Sequence, residues 1–252
     1  MKTIMIIIGD IGNTEIKICL YDNKYNLIKR ISFKTKVIKK KIISNKLSFL
    51  KNKELKITKI IFSSVVPSAF KQINNFFVKN IKKKCTELKN LNLSQFIKIK
   101  VNKKQIGSDR LANAISINDN KKNYIVLDFG TATTFDVVVQ NKYIGGIIAP
   151  GVQLSLNTLI SSASLIPNIN LLKVSKIIGK NTKSAVRSGF YWGYSGLIEN
   201  IIKLIIKQTR QKYHVVLTGG FAYLFKDSIK NKVRIDKDLT IKGLLKVAKN
   251  LK

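Results

Sequence analysis

Apolar and polar residues follow two rhythms along this chain. Thr3–Gly9 (TIMIIIG) is a continuous apolar run closed by Asp10, as in a strand buried on both faces. Glu15–Tyr21 alternates, with Ile16, Ile18 and Leu20 on one face, and predicts a second strand. Asn26–Phe33 predicts a third, after a turn at Asp22-Asn23-Lys24. Lys56–Phe62 reads as another strand. Pro67 then suits the first turn of a helix running to about Lys84. A strand near Phe96–Val101 leads into a helix from about Ser108 to Asn118.

The pattern then restarts. Tyr124–Leu127 is an apolar strand ending at Asp128, followed by predicted strands at Thr134–Gln140 and Tyr143–Ala149. Helices are expected near Val152–Ile160, Thr182–Gln208 and Thr240–Asn250, with a strand at Tyr213–Leu217 running into Thr218-Gly219-Gly220. Both halves begin with an apolar strand, an Asp-x-Gly turn and two more strands. An internal repeat of this kind predicts an α/β protein of two related lobes with a cleft between them, divided into residues 1–117 and 118–252.

Composition changes this picture little. The chain has 252 residues and is 45% hydrophobic, enough for a sizeable core. No apolar run approaches the ~18 residues of a membrane span. The N-terminus lacks a small-residue cleavage site, so a cytoplasmic protein with no membrane partner is expected. Two cysteines, Cys19 and Cys85, and one histidine, His214, leave too few soft ligands for a structural zinc site. His214 lies in an apolar strand, which favours a strand-edge role over a catalytic one. The net charge is 47 − 13 = +34, which raises polyanion binding as a possibility. Only five basic residues are arginines (Arg30, Arg110, Arg187, Arg210, Arg234), and the lysines are dispersed. Non-specific binding at low salt is the expectation, with no specific nucleic-acid partner.

The chemistry sits in two loops. GDIGNTEIK (Gly9–Lys17) and DFGTATT (Asp128–Thr134) each place an aspartate where a buried strand emerges. Glycine lets the backbone approach an anion, and neighbouring hydroxyls and N–H groups face phosphate oxygens. The aspartates suit a metal ion or its waters beside those phosphates. Asp128-Phe129-Gly130 matches a protein-kinase tripeptide only by spelling, because the other kinase motifs and a Walker A are missing. VVLTGG (Val215–Gly220) reads as a nucleotide-binding wall at a helix start. In IGSDRLANAIS (Ile106–Ser116), Asp109 suits proton abstraction and Arg110 suits a carboxylate, although on this stretch alone a helix-start acid beside a surface arginine is the more ordinary reading.

The three-part loop pattern resembles the actin, hexokinase and Hsp70 superfamily, whose two ribonuclease-H-like lobes bind ATP. The chain as a whole resembles the type III pantothenate kinases. The matching segments are DIGNT (Asp10–Thr14), SSVVP (Ser63–Pro67), GSDR (Gly107–Arg110), DFGTATTFD (Asp128–Asp136), GGIIAPG (Gly145–Gly151), NTKSAVRSG (Asn181–Gly189), TGG (Thr218–Gly220) and DLTIKGL (Asp238–Leu244). The resemblance implies ATP-dependent phosphorylation of pantothenate, the first step toward coenzyme A, with magnesium and a potassium or ammonium ion. By position it implies an ATP loop of Asp10, Ile11, Gly12, Asn13, Thr14, Glu15, Ile16 and Lys17, with Thr131 also on ATP. It places pantothenate on Gly107, Ser108, Asp109, Arg110 and Thr182, makes Asp109 the proton acceptor and Asp128 the monovalent-cation ligand, and implies a homodimer. The family's usual aromatic residue and proline before G-x-D-R are replaced here by KVNKKQIG, with Lys100 near the aromatic position. Two other readings stand beside this one: a nucleic-acid-associated regulator on the same fold, and a kinase for another small hydroxy acid or sugar.

Overall fold

The computed structural model describes residues 3–251. Strands β1 (Thr3–Ile11), β2 (Glu15–Asp22) and β3 (Leu27–Lys34) are followed by α1 (Lys40–Lys46), β4 (Leu55–Ser64), α2 (Pro67–Ile81), β5 (Thr86–Glu87), β6 (Lys98–Ile99) and α3 (Ser108–Ile117). The order repeats as β7 (Tyr124–Phe129), β8 (Ala132–Val139), β9 (Lys142–Pro150), α4 (Val152–Ser162), α5 (Thr182–Thr209), β10 (His214–Gly219), α6 (Ala222–Phe225), β11 (Val233–Ile235) and α7 (Leu239–Asn250). The chain forms two compact units. The first runs to Asn118 and takes back the chain from Asp238 onward; the second is Asp119–Lys237. The crossing therefore falls one residue past the expected boundary, and α7 belongs with the first unit instead of the second.

The repeat seen in the sequence is a repeat of topology. In the first unit the strands lie in the order β3-β2-β1-β4-β5, with β1–β2 and β2–β3 antiparallel and β1–β4 and β4–β5 parallel. In the second, β9-β8-β7-β10-β11 has the same directions strand for strand. The structure thus has the α/β fold of two like units.

Burial explains the central strands. Met5–Ile8 are all buried because β1 is covered on both faces. Met5, Ile7 and Phe62 pack with Ile43 of α1 and Ile73, Phe76 and Phe77 of α2. The opposite face, with Ile6 and Ile8, lies under α3 and α7, which contribute buried Leu111, Ile115, Leu244 and Val247. In the second unit, Leu127, Phe129, Val215 and Leu217 pack with Tyr191, Ile198 and Ile202 of α5 and Phe225 of α6.

Several predicted elements change length. The strand expected at Phe96–Val101 shrinks to β6, because Phe96 and Ile97 turn inward as buried side chains. The helix from Pro67 stops at Ile81, where Lys82 adopts a left-handed conformation (φ 59°) and its N–H bonds Phe77 O. The helix after Gly219-Gly220 is a single turn, α6. The short elements α1, β5 and β11 were not expected.

Helix α7 is fastened to the first unit by polar contacts as well as packing. Lys246 Nζ donates to the carbonyls of Ile115 (3.0 Å) and Asn118 (2.6 Å), capping the end of α3. Lys59 Nζ donates to Ala248 O (2.8 Å) and also to Leu251 O, capping the end of α7. Thr240 Oγ1 donates to Asn113 Oδ1 at 2.8 Å. The two helices meet at Gly243, where a Cβ would stand 1.9 Å from Ala112 O. Alanine is favoured over glycine inside a helix by about 1 kcal/mol, but here overpacking costs about 1–3 kcal/mol. Gly243→Ala is expected to lower the urea unfolding midpoint; a higher midpoint would mean that α3 and α7 do not touch through backbone.

Candidate functional site

The first unit carries most of the predicted site residues. Asp10 is the penultimate strand residue before the turn, in register with Lys17 on β2 and Ser63 on β4. The turn is tightened by Gly12 N–H donating to Glu15 O (3.0 Å). It is clamped from outside by Thr35, whose Oγ1 donates to Gly12 O (2.7 Å) and whose N–H donates to Thr14 O (2.9 Å). Thr35 is a buried part of this loop that the sequence did not mark. Asn13, Thr14 and Glu15 are exposed, whereas Ile11 and Ile16 are buried in the core, so those two can offer a ligand only backbone groups. Lys17 Nζ lies 3.6 Å from Glu15 Oε2, a half-exposed pair of little energetic weight that leaves the lysine able to move to an anion.

Helix α3 presents the second group. Gly107 precedes it with extended backbone, and Ser108, Asp109 and Arg110 form its first turn. Asp109 Oδ1 accepts the N–H of Arg110 at 2.8 Å. A Cβ at Gly107 would stand 2.4 Å from that same oxygen, so a larger residue there would displace the carboxylate. Burial pushes the Asp109 carboxyl above the usual aspartate range, against the opposing pull of Arg110 and the more distant charge of Lys89. A base so placed holds its proton more tightly than a surface aspartate, which is the direction that proton abstraction needs. Ser108 is buried, and its hydroxyl has no hydrogen-bond partner among the described residues. Lys100 is exposed, in keeping with a surface lysine.

The second unit carries the rest. Asp128 again sits next to the strand end, in register with Thr134 on β8 and Thr218 on β10. Its turn closes with Gly130 N–H donating to Ala132 O (3.1 Å), and Thr131 is exposed at the tip. Gly219 has φ +85°, and a Cβ there would come within 2.6 Å of the Phe129 backbone. Glycine therefore lets the end of β10 press against the end of β7, with Gly220 N–H donating to Phe129 O at 3.1 Å. Phe129 is held from behind by stacking on Phe225 (5.4 Å), which stacks on Tyr191 (6.0 Å). The α6 turn that follows is too short to supply a helix-end field, so this wall is made of strand ends and turns. The Thr134 hydroxyl is buried beside Asp128 without a partner among the described residues.

Thr182 stands on a separate element, as the exposed first residue of α5. There Asn181 and Ser184 form a capping box, Asn181 Oδ1 accepting from Ser184 N–H (2.9 Å) and Ser184 Oγ from Asn181 N–H (3.1 Å). Asp136, at the end of DFGTATTFD, is buried and accepts Tyr143 OH at 2.6 Å, which joins β8 to β9. His214 is exposed at the start of β10 beside Tyr124.

No group of three His, Cys, Asp or Glu able to hold a metal exists among the described residues. A divalent ion beside the Asp10 loop would be held by fewer than three such side chains together with phosphates and waters, as magnesium is with nucleotides. Among the described residues no helix is long and apolar enough to cross a membrane.

Comparison with known proteins agrees with this geometry. A type III pantothenate kinase from Pelagibacter ubique is 58% identical over 248 residues, covering 98% of this chain and 100% of that one. A type III pantothenate kinase from a Sulfurihydrogenibium species is 36% identical over 252 residues, covering 95% and 98%. Among solved structures, a Campylobacter jejuni protein described as a Baf family transcriptional activator aligns with TM-score 0.64 at 20% identity, covering 97% of this chain and 100% of that one. The activator of 2-hydroxyisocaproyl-CoA dehydratase from Clostridium difficile, with bound ADPNP, aligns with TM-score 0.51 at 11% identity, covering 99% and 98%. Both structural likenesses show the fold alone. The sequence pattern of the type III pantothenate kinases matches residues 6–204, and with relatives of that name matching nearly end to end, the chain belongs to the type III pantothenate kinase family.

Proposed function

We propose that the protein transfers the terminal phosphoryl group of ATP to the primary hydroxyl of pantothenate, giving 4′-phosphopantothenate and ADP, the first step of coenzyme A biosynthesis. The observation that carries this reading is the first turn of α3, where a partly buried carboxylate of raised proton affinity and an arginine stand side by side. Asp109 accepts the proton of the attacking hydroxyl as its oxygen bonds to phosphorus and the bond to the ADP oxygen breaks. Arg110 is a permanent cation suited to the pantothenate carboxylate. Gly107 and Ser108 complete that side of the acceptor, and Thr182 adds a hydroxyl from α5.

ATP with a divalent ion is the phosphoryl donor. The Asp10–Lys17 loop and Thr131 are assigned to its phosphates, and magnesium is the ion that best suits so few carboxylates. Bound there, it would neutralise phosphate charge. Asp128, with the unspent hydroxyl of Thr134 beside it, suits a weakly hydrated monovalent cation, potassium or ammonium. Ile148 (65%), Leu154 (51%) and Trp192 (38%) are large exposed apolar side chains of the second unit, suited to contacts in a homodimer. The regulatory reading is not favoured: its support is the charge of +34, and the Campylobacter structure shares the fold only.

Asp109→Asn is expected to lower kcat by about 10²-fold to 10⁴-fold while the KM for ATP changes little; unchanged turnover removes Asp109 as the base. The raised carboxyl also fixes a stability effect. Its contribution is fully present below the ordinary aspartate pKa of about 3.9 and is lost as pH rises through the higher folded value. Asp109→Asn should therefore melt above the wild type at pH 7, with the gap narrowing toward about pH 4. Arg110→Ala is expected to raise the KM for pantothenate far more than the KM for ATP, read from initial rates with each substrate varied. Leu154→Glu should convert a dimer to a monomer in light scattering.

A further inference from the structure

The SSVVP stretch uses its two serines differently. Ser64 Oγ accepts the N–H of Val66 and donates to its carbonyl, both at 3.2 Å, and so turns the chain toward α2. Ser63 makes no such turn. It is wholly buried, and its hydroxyl has no hydrogen-bond partner among the described residues. A buried hydroxyl left in that state costs stability, and alanine would fill nearly the same space without the cost. Its neighbours on β4, Ile60, Ile61 and Phe62, show how apolar the strand is otherwise.

Position gives the serine a purpose. Ser63 is the register partner of Asp10 on the parallel strand, and Asp10 pairs on its other side with Lys17. The three side chains share one face at the end of the sheet, the face on which α3 packs against β4. The second unit repeats the arrangement independently. There Thr218, also buried, is the register partner of Asp128 on the parallel strand β10. Each half of the fold thus sets a buried hydroxyl residue beside its strand-end aspartate.

We infer that Ser63 is a further binding residue of the nucleotide site: with Asp10 it hydrogen-bonds the water shell of the divalent ion that accompanies ATP. The inference rests on the assignment of Asp10 to the ATP phosphate loop. The hydroxyl can donate to or accept from such a water, and the Asp10 carboxylate can only accept. Ser63 then acts on metal-loaded nucleotide and not on nucleotide alone.

The test compares wild type with Ser63→Ala by calorimetric titration with a non-hydrolysable ATP analogue, with and without magnesium, alongside thermal unfolding of the ligand-free protein. The expected variant melts at or above the wild-type temperature. It binds the magnesium-loaded analogue roughly fivefold to thirtyfold more weakly and the metal-free analogue equally well. Ser63→Thr, which keeps a hydroxyl, should recover part of the loss. Equal affinity of wild type and Ser63→Ala for the loaded analogue overturns the inference, as does an equal loss with and without magnesium. If wild type itself shows no magnesium-dependent binding, the assignment of the Asp10 loop fails instead.

Discussion

A strand covered on both faces has no room for an unpaired charge along its length. That constraint organises this molecule. In β1, Met5–Ile8 are buried, and a carboxylate among them would cost several kcal/mol, on the order of the penalty for a buried unpaired ion. Inside a strand a carboxylate needs a buried partner, as Asp136 of β8 has in the Tyr143 hydroxyl; otherwise its place is where the strand leaves the sheet. Asp10 and Asp128 both stand there, one residue before their strands end. The hairpin to the next strand and the parallel strand on the other side then bring Lys17 and Ser63, or Thr134 and Thr218, into register with them. The turns that could hold phosphates are a by-product of ending an apolar strand twice in the same way.

The same balance governs the acceptor side. Asp109 is drawn into the first turn of α3 among buried neighbours, which raises its proton affinity and makes it a better base. The backbone N–H and charge of Arg110 oppose that shift and keep the carboxylate usable. Stability and chemistry therefore pull in opposite directions at this residue. The stability comes from elsewhere in the first unit, where α7 returns to cover the sheet and lysines cap its end and that of α3.

What the sequence revealed follows from which forces are local. Continuous apolar runs announce central strands, so β1, β4, β7 and β10 were legible, and α2, marked by Pro67 at its first turn, was legible with α3, α5 and α7. The two-residue strands β5 and β6 and the three-residue β11 exist only because a neighbouring strand offers bonds, and no periodicity can develop over that length. The amphipathic pattern of α7 identifies a helix but not the sheet it covers. Its fastening depends on Lys59 and Lys246, which look like any other lysines in a chain with a charge of +34. Within the site, Asp10, Asp109 and Asp128 were marked by glycines at fixed spacing. Thr35 was not marked at all, and Ser63 only as part of the SSVVP segment, because a loop clamp and an unspent buried hydroxyl are tertiary facts. Ile11 and Ile16 show the converse: a motif match includes residues whose side chains belong to the core.

We propose that the protein phosphorylates one acceptor, pantothenate. This is tested most directly by a coupled ADP-release assay of the purified protein with ATP, magnesium and potassium, run with pantothenate, without it, and with other small hydroxy acids or sugars in its place. ADP release is expected only with pantothenate, in step with the appearance of phosphopantothenate. Release that ignores pantothenate, or that follows a different acceptor, would contradict that proposal.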